Sequence, residues 1–360
     1  MRILYILSSY NIYGGTPKKT LDLMKHFRER SSLYVYDNSY SEFKELFQAT
    51  GGNVYEGFHG WNIIKHLRDI IKIVDQNKIS IVQTQFSMGE TLGLLLKFFR
   101  PQIKLMVAFV GPFSPTGFKK WMANKVYKKT DAFVFISKYV KSEKIRQFPV
   151  LENRFGKIIF NGTEKRVNDG SETVDLQSIS LLDIAGLIGC KNIQVAVKAL
   201  DILINIQGLR NIFFYVAGEG PMRKELENMI TKFNLNDHIF LLGYQKNVGA
   251  LIDACDIFVH PAYAEGFGIA VAEAMMAEKP IIVANAGALP ELIEHEKSGL
   301  VIDPFDPAKW ADAISRLIGN WDHAELLATN NKFRAEQVFS IKKFAENYEQ
   351  LYHNLLAPKE

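Results

Sequence analysis

Short apolar runs alternate with longer amphipathic segments along almost the whole chain. The runs at 211–217 and 280–284 are nearly continuous in apolar residues, which is typical of parallel strands buried on both faces. Between such runs, segments like 62–76 carry apolar side chains at helical spacing on one face. This alternation predicts an α/β fold built from parallel sheets.

The same pattern occurs twice, with a polar segment between the two halves. Residues 164–178 contain few apolar side chains and an Asn-Asp-Gly-Ser run, and this composition favours a linker. We therefore predict Rossmann-like, doubly wound domains at 1–163 and 179–339, and an amphipathic helix in 340–360 that packs on its own domain or crosses back to the first. The predicted strands are 2–8, 33–37, 53–55, 80–84, 104–110, 131–136 and 157–160, then 180–185, 211–217, 238–242, 256–260, 280–284 and 299–302.

The composition is that of a globular chain. Its 360 residues exceed the roughly 250–300 that a single core supports, which favours two domains. It has no apolar stretch of the roughly 18 residues that a membrane span needs, and two cysteines exclude a disulfide framework. We expect a cytoplasmic protein, and we expect its ligands at the carboxyl ends of the strands, facing a central cleft.

Charge is distributed unevenly between the halves. Residues 1–162 carry 25 Lys and Arg against 12 Asp and Glu, and the remainder carries 18 against 27. The basic half fits an anionic substrate, an anionic membrane surface or nucleic acid, and a solvated surface without a partner stays an alternative. No nucleic-acid-binding motif accompanies the charge, so nucleic acid is not favoured. Lys-rich, aromatic segments at 97–100 and 118–129 make docking at the inner face of a membrane the preferred alternative to a solvated surface.

The segment 257–273 carries the strongest chemical signal. A buried strand ends near His260, a loop contains Glu265, and a helix begins close to Gly268. The amides of Gly266, Phe267, Gly268 and Ile269 would precede or open that helix, where a phosphate binds readily. Glu265, and Glu273 eight residues later, could accept hydrogen bonds from sugar hydroxyls. On spacing alone, Glu265 could equally be an acid near a helix N-cap and Glu273 a solvated helix residue. We interpret His260 as a strand-end residue rather than a base.

These residues resemble the E-x7-E motif of the family 4 retaining glycosyltransferases, which have the GT-B fold. Further segments agree with that family: Gly14-Gly15, Ile136-Ser137-Lys138, Asn161-Gly162-Thr163, the glycine turn at 217–223, Leu242-Gly243-Tyr244 and Asn285-Ala286-Gly287. The resemblance spans nearly all of residues 1–320. Each glycine pair is weak by itself, but the set is specific.

The resemblance implies a metal-independent transfer of sugar from a nucleotide-sugar donor to a hydroxyl acceptor, with retention of configuration and no cofactor. The acceptor would be a lipid-linked or polysaccharide precursor in envelope biosynthesis. Glu265 would bind the transferred sugar, Glu273 the ribose, and Lys191 the leaving phosphate. The remaining donor contacts would come from Gly14, Gly15, Gly218, Gly243, Tyr244, Gly266, Phe267, Gly268 and Ile269.

Two departures from the family pattern stand out. Leu187 occupies the place of a family Arg, and Gln83-Thr84-Gln85 replaces a segment where many relatives carry histidines. These departures keep two other functions open. One is a nucleotide-sugar epimerase of the same architecture, which would consume donor without an acceptor. The other is a non-catalytic protein that binds sugar nucleotides or glycans.

Overall fold

The predicted alternation of strands and helices is present in the computed structural model, which describes residues 1–11, 15–85, 87–166, 176 and 178–357. The chain divides into two units, one made of Met1–Gly162 with Ile341–Glu360 and the other of Thr163–Ser340. Most of the predicted linker, at 167–175 and 177, lies outside the described residues.

The first unit is built on a parallel sheet. Within its described part the sheet has seven strands in the order β3-β2-β1-β4-β5-β6-β7. The strands are β1 (Ile3–Leu7), β2 (Ser31–Val35), β3 (Asn53–Glu56), β4 (Ile81–Thr84), β5 (Lys104–Phe109), β6 (Ala132–Phe135) and β7 (Gly156–Ile158). The helices are α1 (Gly15–Phe27), α2 (Lys44–Gln48), α3 (Ile63–Gln76), α4 (Ser87–Phe99), α5 (Gly117–Lys129) and α6 (Lys138–Gln147).

The second unit is a second parallel sheet, with six described strands in the order β10-β9-β8-β11-β12-β13. The strands are β8 (Ile179–Ile184), β9 (Ile212–Ala217), β10 (Ile239–Gly243), β11 (Ile257–His260), β12 (Ile281–Ala284) and β13 (Leu300–Ile302). The helices are α7 (Ile193–Asp201), α8 (Arg223–Lys232), α9 (Val248–Ala254), α10 (Ile269–Met276), α11 (Leu289–Leu292), α12 (Pro307–Gly319) and α13 (Trp321–Val338). A π-helical turn, Ile202–Ile206, continues α7.

The order of the strands predicts where each unit binds ligands. In the second sheet, β9 and β10 lie on one side of β8, and β11, β12 and β13 lie on the other. The loops after β8 and β11 therefore diverge at their carboxyl ends and leave a crevice between them. In the first sheet, the corresponding reversal falls between β1 and β4.

Helix α14 (Ile341–Leu356) follows the second unit in sequence but belongs to the first. Of the two alternatives predicted for this segment, the structure has the crossing back. Its residues Phe344, Tyr348, Leu351 and Tyr352 are buried in one core cluster with β1 and α1. Apolar spacing along the helix explains this packing, because a single face carries all four side chains.

The α1 side of the first sheet also buries polar side chains. Tyr352 Oη donates to Gln83 Oε1 at 2.6 Å and lies 3.2 Å from Tyr5 Oη. Lys19 is 4% exposed, and its Nζ lies 6.0 Å from the ring centroid of Tyr348. The core of the first unit is therefore not purely apolar.

Within the described part of the chain, every helix is too short or too polar to cross a bilayer.

Candidate active site

Lys191 and Glu265 meet at the carboxyl end of the second sheet. Lys191 ends a short 3₁₀ turn, Gly189–Lys191, in the loop after β8, and Glu265 lies in the loop after β11. Lys191 Nζ forms an ion pair with Glu265 Oε2. The two side chains are 19% and 17% exposed, so the pair is largely shielded but still reachable from solvent. The strand order thus places both predicted catalytic residues in the crevice between β8 and β11.

Asn192 ties the two loops together. Its backbone has φ +54°, a left-handed conformation that Asn tolerates well, and this turns the chain from the Lys191 loop into α7. Its Nδ2 donates to the carbonyl oxygens of Pro261 at 3.3 Å and of Pro304 at 2.6 Å. The Tyr263 amide also donates to the carbonyl oxygen of Cys190 at 3.0 Å. These bonds hold Lys191 opposite Glu265.

A buried pair lies behind the Glu265 carboxylate. His260 Nδ1 is 2.8 Å from Asp183 Oδ1, and His260 Nε2 is 3.5 Å from Glu265 Oε2. The side chains of His260 and Asp183 are 2% and 0% exposed. Asp183 was not predicted from the sequence, although an acidic residue inside the apolar strand 180–185 was a usable signal. His260 does end its strand as expected, but its contacts with two acids were not predicted.

The charges in this cluster stabilise one another. Burial alone would raise the pKa of Glu265, but the hydrogen bond from His260 and the positive charges of Lys191 and His260 outweigh it and hold that pKa well below its usual range. Burial also opposes the charged form of His260, yet the neighbouring Asp183 carboxylate raises the pKa of His260 to about 9. At neutral pH Glu265 is therefore an anion held between two cationic groups.

The backbone after Glu265 leads directly into α10. Gly268 is the N-cap, with φ +99°, and a Cβ there would lie 3.0 Å from Leu289 Cδ2, so glycine suits the turn. The Gly266 amide donates to Glu265 Oε1 at 3.1 Å, which fixes the second carboxylate oxygen. Ile269 begins the helix as predicted. Phe267 is 2% exposed and packs against Phe339, so its side chain is structural and its backbone alone is available for a ligand.

Glu273 lies on α10 and is 7% exposed. Its Oε1 accepts a hydrogen bond from Arg166 Nε at 2.7 Å. Arg166 comes from the segment predicted as a linker, and no motif marked it in the sequence. The solvated alternative for Glu273 is therefore wrong, because the carboxylate is buried in an ion pair.

The predicted glycines of the second unit converge on the neighbouring strand ends. The Gly218 amide donates to the Gly243 carbonyl oxygen at 2.8 Å, which links the ends of β9 and β10. A Cβ on Gly218 would lie 2.0 Å from the Ala185 carbonyl oxygen, so a larger residue is excluded there. Tyr244 follows Gly243 and is 56% exposed. These residues line the same edge of the sheet as Glu265, on the β9 side of β8.

Of the glycine pair in the first unit, Gly15 begins α1 and Gly14 lies outside the described residues. Gly15 is exposed at the carboxyl end of the first sheet. In the second unit, Leu187 is fully buried, so it contributes packing and no polar group to the site. Gln83 and Gln85 are each 1% exposed and sit at the end of β4 and just after it.

The second unit matches a known family. Residues 170–334 fit the family model described as glycosyl transferases group 1. An uncharacterized glycosyltransferase of Methanocaldococcus jannaschii is 29% identical over 99% of this chain and 99% of its own length. The second unit is a group 1 glycosyltransferase domain, and the chain over nearly its full length is similar to a glycosyltransferase. Alpha-D-kanosaminyltransferase of Streptomyces kanamyceticus is 23% identical over 66% of this chain and 64% of its own length.

Solved structures give the fold of this glycosyltransferase. Anabaena HepE in complex with UDP has a TM-score of 0.82 and 19% identity, and the match covers 98% of this chain and all of HepE. The two parallel sheets and this likeness confirm the predicted GT-B fold. The resemblance read from the glycine and glutamate motifs is confirmed at the level of group 1 glycosyltransferases.

Among the residues that the structure describes, no three His, Cys, Asp or Glu side chains are grouped so as to hold a metal ion. Metal independence and the roles of the individual site residues stay predictions.

Proposed function

We propose that this glycosyltransferase moves a sugar from a nucleotide-sugar donor to a hydroxyl acceptor with retention of anomeric configuration and without a metal ion. The acceptor is a lipid-linked or polysaccharide precursor. The single observation that carries the proposal is the Glu265 carboxylate, held between Lys191 and His260 immediately before the N-terminus of α10.

The site supplies what donor binding needs. A carboxylate accepts hydrogen bonds from sugar hydroxyls, and the amides at the start of α10 favour a diphosphate. We assign to Lys191, which is paired with Glu265, the neutralisation of charge that develops on the leaving group, an effect worth roughly 2.7–4 kcal/mol for single groups in other active sites. Glu273, shared with Arg166, is the group we assign to the ribose.

The proposed reaction needs no further reactant. The bond between the anomeric carbon and the donor phosphate oxygen breaks, and the acceptor hydroxyl oxygen forms a bond to the same face of that carbon. The hydroxyl proton passes to an oxygen of the departing diphosphate. The products are the glycosylated acceptor and a nucleoside diphosphate, which accounts for all atoms and charges.

UDP-sugars are the first donors to test, because HepE was solved with UDP and with UDP and glucose. Purified protein is incubated with a donor panel and an acceptor panel, and release of nucleoside diphosphate is followed in a coupled assay with and without EDTA. Proton NMR of the product gives the anomeric configuration. Inversion, or complete loss of activity in EDTA, would contradict the corresponding part of the proposal.

Glu265→Gln tests the site directly. We expect kcat/KM to fall at least 100-fold, because the amide removes the charge that Lys191 and His260 neutralise and weakens acceptance from sugar hydroxyls. Glu336→Gln, an exposed change on α13 of the same unit, is the matched control and should leave kcat/KM unchanged. Equal activity of the two variants would refute the role of Glu265.

The same assay separates the alternatives. An epimerase would convert donor in the absence of any acceptor, and a non-catalytic protein would bind donor in calorimetry without releasing diphosphate. The curated relatives are named as glycosyltransferases, which favours transfer over both.

A basic aromatic surface on the first unit favours docking at an anionic membrane. Phe118 and Trp121 on α5 are 74% and 53% exposed and stack at 5.5 Å between ring centroids. Exposed lysines accompany them at 119, 120, 125, 128 and 129. Each lysine near an anionic leaflet contributes about 1 kcal/mol, so this surface is sufficient for reversible docking.

The second basic segment predicted from the sequence is different. Lys97 is ion-paired with Asp131, and Arg100 Nη2 lies 2.6 Å from Asp75 Oδ2. Its charges are neutralised within the protein, so Phe98 and Phe99 are exposed without a matching basic surface. Membrane docking is therefore assigned to α5.

Sedimentation with vesicles of phosphatidylserine and phosphatidylcholine tests this assignment. We expect binding that falls with salt and is lost in phosphatidylcholine alone, and we expect Phe118→Ser with Trp121→Ser to weaken it at least 10-fold. Phe333→Ser, at a residue of the second unit that is 65% exposed, is the matched control. Equal binding to neutral vesicles, or no effect of the double change, contradicts docking through α5.

A further inference from the structure

We propose that Asp183 and His260 are positioning residues for Glu265, with His260 acting as an imidazolium that donates from both ring nitrogens. This inference deepens the proposed function and rests on it, because the role of Glu265 in sugar binding is itself proposed. The family resemblance assigns a role to neither residue.

The geometry places the imidazole between two acids. His260 ends β11, Asp183 lies on the adjacent strand β8, and Glu265 lies five residues beyond His260. The ring contacts Asp183 through Nδ1 at 2.8 Å and Glu265 through Nε2 at 3.5 Å. Because the side chains of His260 and Asp183 are buried and those of Glu265 and Lys191 nearly so, water does little to screen these charges.

The protonation state of the His260 ring decides whether its contact with Glu265 is attractive. A neutral imidazole that donates from Nδ1 to Asp183 has a lone pair on Nε2, and that lone pair would face the Glu265 carboxylate. A protonated ring donates to both acids. With both acids ionised, the two contacts are therefore compatible only when His260 carries a positive charge.

Asp183 supplies the reason for that charge. Its carboxylate is fully buried, and an isolated buried carboxylate is costly. Burial opposes the charged form of the ring. Of the charged groups that face the ring, Asp183 and Glu265 favour its protonation and Lys191 opposes it, and the result is a pKa of His260 of about 9. At neutral pH the cluster then contains two anions and two cations.

This arrangement gives the two cations different tasks. Lys191 is the more exposed of the two and lies on a loop, so it can turn toward the donor phosphates when a donor binds. His260 is buried and tied to Asp183, so it keeps Glu265 neutralised and oriented after Lys191 turns away. Leu187, at the position where the family has an Arg, is a buried apolar residue and supplies no positive charge. We therefore assign the role of a second cation beside Glu265 to His260.

Asp183→Asn is the test. Replacing the buried carboxylate removes the main group that stabilises the imidazolium, so the pKa of His260 should fall by at least 2 units. The kcat profile of the wild type should decline toward high pH near pH 9, and in the variant this decline should move to lower pH by the same amount. At pH 6 we expect the variant to keep kcat within about threefold of wild type, and at pH 8 to lose at least 10-fold, with a smaller change in KM.

The charge of His260 is measured separately by NMR of protein with ¹³C,¹⁵N-labelled histidine, using His260→Gln to assign the signal. This measurement needs no activity, so it tests the charge network even if the proposed transfer is not found. A wild-type His260 that titrates at or below 6.5, its ordinary value, would overturn the inference.

Far-UV circular dichroism and thermal melting check that Asp183→Asn is folded, and Asp253→Asn on α9 serves as the matched control. If the variant does not fold, the wild-type titration decides. If transfer occurs but the alkaline decline of kcat is the same in wild type and Asp183→Asn, the positioning role fails while the proposed function stands.

Discussion

Replacing Lys19 with methionine should stabilise the first unit, and the gain should depend on pH. Lys19 lies on α1 with 4% of its surface exposed, and its Nζ has no hydrogen-bond acceptor among the described residues. Burial lowers the pKa of Lys19 from 10.5 to about 7. Between pH 7 and pH 10.5 the Lys19 amine is therefore neutral in the folded protein and protonated in the unfolded chain.

The sign and size of the effect follow from linkage. Because the unfolded chain binds more protons in this interval, the free energy of unfolding of the wild type falls by about 1.4 kcal/mol for each pH unit below 10.5. The full loss, about 5 kcal/mol, is reached at pH 7 and stays constant below it. Methionine has a similar shape and no charge, so we expect Lys19→Met to be more stable by about 5 kcal/mol at pH 6.5 and by about 2 kcal/mol at pH 9.

Oxidation of buried methionines by peroxide, followed at increasing urea concentration, measures the free energy of unfolding of each unit in one sample. Met24 and Met106 are fully buried in the first unit, and Met275 is fully buried in the second. Peroxide oxidises each of them when its unit unfolds. The Lys19→Met change should shift the urea midpoint at Met24 and Met106 and leave the midpoint at Met275 unchanged.

Lys25→Met is the matched control for this experiment. Lys25 lies on the same helix and is exposed, so its charge is solvated in both the folded and the unfolded protein. Its effect should be small and nearly independent of pH between 6.5 and 9. A gain for Lys19→Met that is the same at both pH values would refute the reasoning, because it would mean that Lys19 is charged in the folded protein throughout.

Three further changes test other contacts. Asn192→Gly keeps the left-handed turn but removes the bonds from its side chain to the two neighbouring loops, so kcat should fall at least 10-fold with a loss of about 1–3 kcal/mol in urea denaturation. Tyr352→Phe leaves the buried carbonyl oxygen of Gln83 without its donor and should lower the stability of the first unit by about 1–3 kcal/mol, read at the buried methionines. Gly268→Ala forces a side chain into a backbone with φ +99° against Leu289, and donor binding by calorimetry should weaken at least 10-fold; unchanged donor affinity would contradict the role of the α10 amides.

The sequence was a good guide to the fold because both sheets are parallel and buried. Every predicted strand is present, with ends that differ by at most two residues, and the helix predicted at 62–76 begins at Ile63 with Asn62 as its N-cap. Continuous apolar runs are the direct consequence of burial on both faces. The strand ends are less certain from sequence because pairing, and not polarity, decides where a strand stops.

The site was predicted less completely. Glu265 and Lys191 were found because they stand in motifs of local spacing, and the structure brings them together. Asp183 and Arg166 were missed because their importance depends on partners 77 and 107 residues away in sequence. Without an alignment, a single polar residue in an apolar strand or in a polar segment does not reveal which distant side chain it contacts.

Long-range pairing also explains the difference between the two basic segments. Lys97 and Arg100 look like a basic patch in sequence, but each is matched by an acid from another part of the fold. The lysines of α5, in contrast, are exposed to solvent. Local composition predicts charge density, whereas the fold decides how much of that charge is available to a partner.

The return of α14 to the first unit has a consequence for synthesis on the ribosome. The first unit lacks four core side chains until α14 (Ile341–Leu356) has left the exit tunnel, whereas residues 163–340 are all translated before α14. The later-encoded unit can therefore complete its core first, and the N-terminal unit must wait as an unfinished sheet with an exposed apolar face. A stop codon just before residue 341 would leave that face open permanently, and such a product should be captured by chaperones or degraded even though it contains both candidate catalytic residues.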